Sequence, residues 1–137
     1  MYQNIPENLF SKYVVLIFAF VIKTLKYTVY YRSPSSNVDE FLSALDLLLV
    51  KNCLNANNDI ILCGDINIDW LTMDNARGTL RDLFSSSGIT NLINEPTRMT
   101  ERTASCIDYM CTDLDLTQVE CRVVQMVSQI TRHKYLR

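Results

Sequence analysis

Ile60-Ile61-Leu62-Cys63 is a run of four apolar residues that stops abruptly on Gly64-Asp65-Ile66-Asn67. So short a stretch, apolar at every position, reads as a buried interior strand. Polar residues at the carboxyl end of such a strand lie where α/β proteins place their active sites. A carboxylate there can orient a water or hold a divalent cation, and an amide two residues on can bind a phosphate oxygen. Gly, Asp and Asn are also turn formers, and on these residues alone the turn reading wins.

The segments around this strand alternate in type. Strand signals cover 13–22 and 25–31, and Ser33-Pro34-Ser35-Ser36 punctuates them as a turn. Asn37 can cap a helix with Glu40 three residues on, and Val38, Phe41, Leu42, Leu45, Leu48 and Leu49 form one apolar stripe. Residues 52–58 make a polar loop. A second helix is expected over 75–87, with Leu80, Leu83 and Phe84 inward and Gly88 as its stop. Ile107–Cys111 and Val119–Val127 are expected strands, and 133–137 could begin one more. Strands alternating with two amphipathic helices give an α/β class.

Composition sets outer limits. A chain of 137 residues that is 48% hydrophobic suits one globular domain. A net charge of −2 and a pI near 5.3 lack the basic footprint of a nucleic-acid binder. Local basic clusters do exist, at Arg98 with Arg102 and at Arg132, Lys134 and Arg137. The five cysteines form no Cys-x-x-Cys pair and His133 is the only histidine, which argues against a zinc site. Scattered thiols beside apolar residues suit an intracellular compartment, cytoplasm or nucleus. Tyr13–Ile22 is about half of the roughly 20 residues that a membrane span needs. With Glu7 before it and Lys-Thr-Leu-Lys after it, the segment reads as a strand, not as a signal or anchor.

Asp108 is a second candidate site residue, an aspartate between Ile107 and Tyr109 in an apolar strand. A buried carboxylate costs several kcal/mol unless it is paired. His133 is a natural partner, and an Asp–His pair beside a second Asp is a plausible acid/base set. A bond from Asp108 to a neighbouring loop is the plainer alternative.

The order of these features narrows the choice. Tyr31-Arg32-Ser33-Pro34, a helix, Ile60-Ile-Leu-Cys-Gly-Asp65-Ile-Asn67-Ile-Asp69-Trp-Leu, Pro96-Thr97-Arg98, Ser105-Cys-Ile-Asp108 and a late His133 follow one another. This series resembles the second half of the endonuclease/exonuclease/phosphatase superfamily, in its LINE-type retrotransposon branch. The resemblance implies half of a four-layer α/β/β/α sandwich: one mixed or antiparallel sheet with two helices. Residues 25–137 would be that C-terminal half and 1–24 a non-matching leader, with the N-terminal half of the family domain missing.

The resemblance also implies roles. Tyr31 would contact the scissile phosphate, Asp65 would position or deprotonate the attacking water, and Asn67 would help hold nucleophile and phosphate. Asp108 would orient His133, which stabilises charge on the phosphate with the help of a magnesium ion. Thr97, Arg98 and Ser105 would border the DNA cleft. Two departures argue against activity. Arg132 stands where the family has an aspartate beside the metal, and nothing in 1–24 matches the family's early asparagine and metal-binding glutamate. Neither Glu7 nor Glu40 is a substitute, and Asp65 is the nearest candidate for a metal ligand.

The expectation is thus a retrotransposon-derived DNA endonuclease fragment without activity of its own. The alternatives are a phosphodiesterase completed by another chain and a non-catalytic interaction or membrane-associated module. An exposed sheet face would favour self-association or a partner chain.

Overall fold

The computed structural model describes residues 18–22, 25–53, 59–117 and 119–124. The first elements among these residues are β1 (Phe18–Ile22), β2 (Leu25–Tyr31), α1 (Val38–Cys53) and β3 (Asp59–Asp65). The chain continues with α2 (Asn75–Ser86), β4 (Thr90–Asn91), β5 (Arg98–Met99), β6 (Ala104–Ser105) and β7 (Asp108–Thr112). The result is a five-stranded sheet of order β1-β2-β3-β7-β4, two helices, and a separate β5-β6 ribbon. The sheet is mixed, because β2 and β3 run parallel while the other pairings are antiparallel. This is the α/β class with one sheet and two helices that the sequence leads one to expect.

Both helices form where the sequence signals them. The Asn37 side chain accepts the backbone N–H groups of Asp39 (2.9 Å) and Glu40 (3.1 Å), which satisfies free donors of the first turn of α1. Asp74 does the same for Arg77 at the start of α2 (2.8 Å). At its end Gly88 takes φ 66°, while Gly88 N–H bonds to Ser85 O (3.2 Å) and Ile89 N–H to Phe84 O (2.8 Å). That bonding pattern is a Schellman stop, and it needs a residue free to adopt the left-handed region.

The helices bury their stripes against a single face of the sheet. Phe41, Leu42, Leu45 and Leu49 from α1 and Leu80 and Phe84 from α2 share a core with Tyr30, Ile60, Leu62, Tyr109 and Cys111. Consequently the interior strand β3 is not buried on both faces as expected. Ile60 and Leu62 are buried, whereas Ile61 and Cys63, on the face away from the helices, are half-buried. A side-chain period of two sends alternate residues to opposite faces, and only one face is covered by the helices.

Two further expectations change. Residues 119–124 are not in a strand, although half-buried and exposed positions alternate along them. The strand before them, β7, is already bonded to β3 on one edge and to β4 on the other. Helix α1 also extends into the expected loop, to Cys53. Residues 1–17, 54–58 and 125–137 fall outside the described set, and with them the start of the apolar 13–22 segment, the rest of the loop, residues 125–127 and the last expected strand. Among the described residues no helix is long and apolar enough to cross a membrane.

Gly64 fixes how closely β2 and β3 pack. Its φ is +149°, and a Cβ placed there would lie 1.8 Å from the carbonyl oxygen of Tyr30. Backbone, unlike a side-chain tip, cannot swing aside. The Gly64→Ala variant should therefore lose about 3 kcal/mol or more of stability, or fail to fold, as read by urea denaturation.

Candidate active site

The strand register assembles the site. In the parallel pair Tyr31 lies level with Asp65, and in the antiparallel pair Asp65 faces Asp108. Directly opposed residues point to the same side of a sheet. Tyr31, Asp65 and Asp108 thus form one row across three strands, at the carboxyl end of β3 and on the face away from the helices. Tyr31 and Asp65 are half-buried and Asp108 is exposed. The expectation of a buried Asp108 is corrected here. Its neighbours Ile107 and Tyr109 take the buried positions, so strand alternation turns the carboxylate outward and removes the burial cost that called for a partner. His133 lies outside the described residues.

Beyond β3 the chain makes a tight exit. The Asn67 backbone N–H donates to Asp65 Oδ1 (3.0 Å), and Asn67 itself adopts φ 51°. Asparagine tolerates this left-handed conformation better than most residues. Its Nδ2 donates to the carbonyl of Arg32 (2.7 Å). Arg32 is buried, and its Nε donates to Ile66 O (2.6 Å) and its Nη2 to Asn67 O (2.8 Å). Nothing in the Tyr31-Arg32-Ser33-Pro34 series marks Arg32 for this task. One arginine at a strand end has no spacing signal of its own.

The remaining predicted residues gather at the β5-β6 ribbon. Thr97 Oγ1 accepts the backbone N–H groups of Ile107 and Asp108 (both 3.2 Å), and Thr97 N–H donates to Ser105 O (3.0 Å). Arg98 is exposed and pairs with Ser105 across the ribbon. Asp69, quoted in the sequence but given no task, anchors the same segment: its Oδ1 accepts Cys106 N–H (2.9 Å) and Leu71 N–H (3.1 Å). Tyr109 OH donates to Ile68 O (2.7 Å), which ties β7 to the exit of β3 from the core side.

Burial lifts the Asp65 carboxyl above its ordinary value, the Asn67 N–H lowers it, and the Asp108 charge raises it again. The Arg98 and Arg32 charges pull it back down. A carboxyl raised in this way is a better proton acceptor than an ordinary surface aspartate. Burial, then the Asp69 charge, pushes Cys106 up to about 11, and Cys63, Cys106, Cys111 and Cys121 are all free. Two facing carboxylates and an amide are hard oxygen donors of the kind magnesium takes. However, no group of three or more His, Cys, Asp or Glu that could hold a metal occurs among the described residues. The described donors therefore do not complete a cation site.

The sequence pattern of the Endonuclease/Exonuclease/phosphatase family matches residues 4–131. Among solved structures, the endonuclease domain of TRAS1, a telomere-specific non-LTR retrotransposon, is similar with a TM-score of 0.57 at 19% identity. The likeness covers 76% of this chain and 52% of that one, so the chain spans about half the length of that structure. At this identity it is a likeness of fold. No curated protein matches the chain.

The raised Asp65 carboxyl has a signed effect on stability. An acid with a raised folded pKa holds its proton more tightly in the folded state. Its stabilising contribution is complete below the unfolded value of 3.8 and is lost as pH rises through the folded value. Asp65→Asn keeps an Oδ1 to accept from Asn67 but does not titrate. At neutral pH the variant should be more stable than the wild type, by up to about 1 kcal/mol for a group this solvated. The difference should close below the unfolded value, as urea midpoints measured across the pH range will show.

Proposed function

The chain belongs to the endonuclease/exonuclease/phosphatase family, and on that premise we propose that it carries the water-activating part of a LINE-type DNA endonuclease site. The observation that supports this reading is the row Tyr31–Asp65–Asp108, three residues far apart in sequence and level with one another at one end of the sheet. In the proposed reaction Asp65 takes the proton from the attacking water. The water oxygen bonds to phosphorus as the bond from phosphorus to the leaving sugar oxygen breaks, and that leaving oxygen takes a proton from solvent. The Asn67 side chain helps to hold water and phosphate, and Tyr31 contacts the phosphate that is cut. Asp108 orients His133, which meets the charge that develops on the phosphate oxygens. Thr97, Arg98 and Ser105 border the bound DNA strand.

Magnesium is the cation the family resemblance implies, and when bound it would neutralise phosphate charge. A net charge of −2 leaves DNA to be held locally, by residues such as Arg98 and Arg102, and not by a general basic field.

The chain as it stands is proposed to be catalytically silent. Arg132 precedes His133 where the family has an aspartate, so a guanidinium stands where the resemblance implies a carboxylate beside the cation. Replacing attraction by repulsion at close range is worth several kcal/mol even when partly screened. In a plasmid-nicking assay with magnesium, the wild type should nick no faster than its Asp65→Ala variant. With the family's N-terminal half supplied as a second chain, Arg132→Asp should nick at least about tenfold faster than the wild type given the same half, the equivalent of about 1.4 kcal/mol, and both Asp65→Ala and His133→Ala should abolish that gain. Wild-type nicking that either alanine variant removes would overturn the silence, and nicking indifferent to both would overturn the site.

A further inference from the structure

Arg32 is 2% exposed, yet every bond its guanidinium makes is to a neutral oxygen. Nε donates to Ile66 O (2.6 Å) and Nη2 to Asn67 O (2.8 Å). Nη1 reaches Ser33 O (3.1 Å), Ser36 O (3.0 Å) and Ser36 Oγ (3.2 Å). The guanidinium also lies 5.9 Å from the centre of the Phe41 ring on α1. Burying a cation is expensive, and a chain that only needed to close a turn would not need one. What an arginine supplies, and a smaller polar residue does not, is a rigid planar fork of donors that can hold several carbonyls at fixed angles.

The carbonyls it holds decide the reading. Two belong to residues 66 and 67, which follow Asp65 directly, and one of these residues has a left-handed backbone. Two further bonds close the same join, one from the backbone and one from a side chain: Arg32 N–H donates to Asp65 O (2.9 Å) and Asn67 Nδ2 donates to Arg32 O (2.7 Å). Four bonds therefore tie residue 32 to residues 65–67, immediately beside Tyr31.

The geometry points to Arg32 as the positioning residue of this site: its guanidinium fastens the Asp65–Asn67 exit, holds Asn67 left-handed, and fixes the Asp65 carboxylate relative to Tyr31. Arg32 touches no reacting atom in this role. The inference rests on the endonuclease reading only in naming Asp65 and Asn67 as the groups positioned, since the clamp itself is a set of side-chain bonds to backbone carbonyls.

The test is NMR on the isotopically labelled full chain, comparing the wild type with Arg32→Lys, which keeps the charge but loses the fork. In the variant the Asn67 carbon shifts should leave the left-handed range. Amide exchange at Ile66 and Asn67 should quicken by roughly tenfold or more. Amides of Ile60, Leu62 and Leu80 should keep their wild-type protection. Unchanged shifts and protection at 65–67 would overturn the proposal, and so would an equal loss of protection at every site, the mark of a merely structural residue.

Should Arg32→Lys not fold, exchange in the wild type decides. The Arg32 Nε–H and the Asn67 N–H should open together in a local step while Leu62 stays protected, and opening only by global unfolding would overturn the clamp. No activity enters these measurements. Failure of Arg132→Asp to nick DNA with the N-terminal half supplied would retire the endonuclease reading alone.

Discussion

Parallel pairing between β2 and β3 sets residue 31 level with residue 65, and the site depends on that register. A slip of one residue would turn Asp65 toward the helices and bring a core side chain to the open face. Gly64 makes slippage costly, because a residue with a Cβ would run into the Tyr30 carbonyl at 1.8 Å. The closeness of that approach therefore belongs to the site as much as to the sheet. Asp108 inherits the register from the other edge, through its pairing opposite Asp65.

Electrostatically the row is unfavourable to itself. Two carboxylates face one another on a partly screened surface, with Asp65 lifted by burial and then by Asp108. Arg98, from the exposed ribbon, and Arg32, from within the join, offset this in part. The two arginines act from different places. Arg98 is exposed to solvent, so salt should weaken its effect readily, whereas Arg32 is buried among carbonyls and should keep its effect. Structures commonly store such local destabilisation at the groups that react.

Much of this was legible in the sequence, for identifiable reasons. The α1 stripe from Val38 to Leu49 and the α2 stop at Gly88 announce themselves because helix periodicity and capping are local rules. Asp65, Asp108 and Tyr31 could be singled out by their order along the chain. Their meeting could not be read, because register belongs to the pairing of strands. Strands of two residues, such as 90–91, 98–99 and 104–105, are too short for any period. The alternation at 119–124 is present in the chain, but pairing, which decides whether an alternating segment becomes a strand, is not written in it. Arg32 escaped notice because its partners are backbone carbonyls, which leave no trace in residue types.

The hydroxyl of Thr97 carries one more implication. By accepting two successive N–H groups, those of Ile107 and Asp108, it welds the base of the ribbon to the strand that bears the Asp108 carboxylate. Loss of that one hydroxyl would leave two successive N–H groups without this acceptor at the base of the strand that bears Asp108.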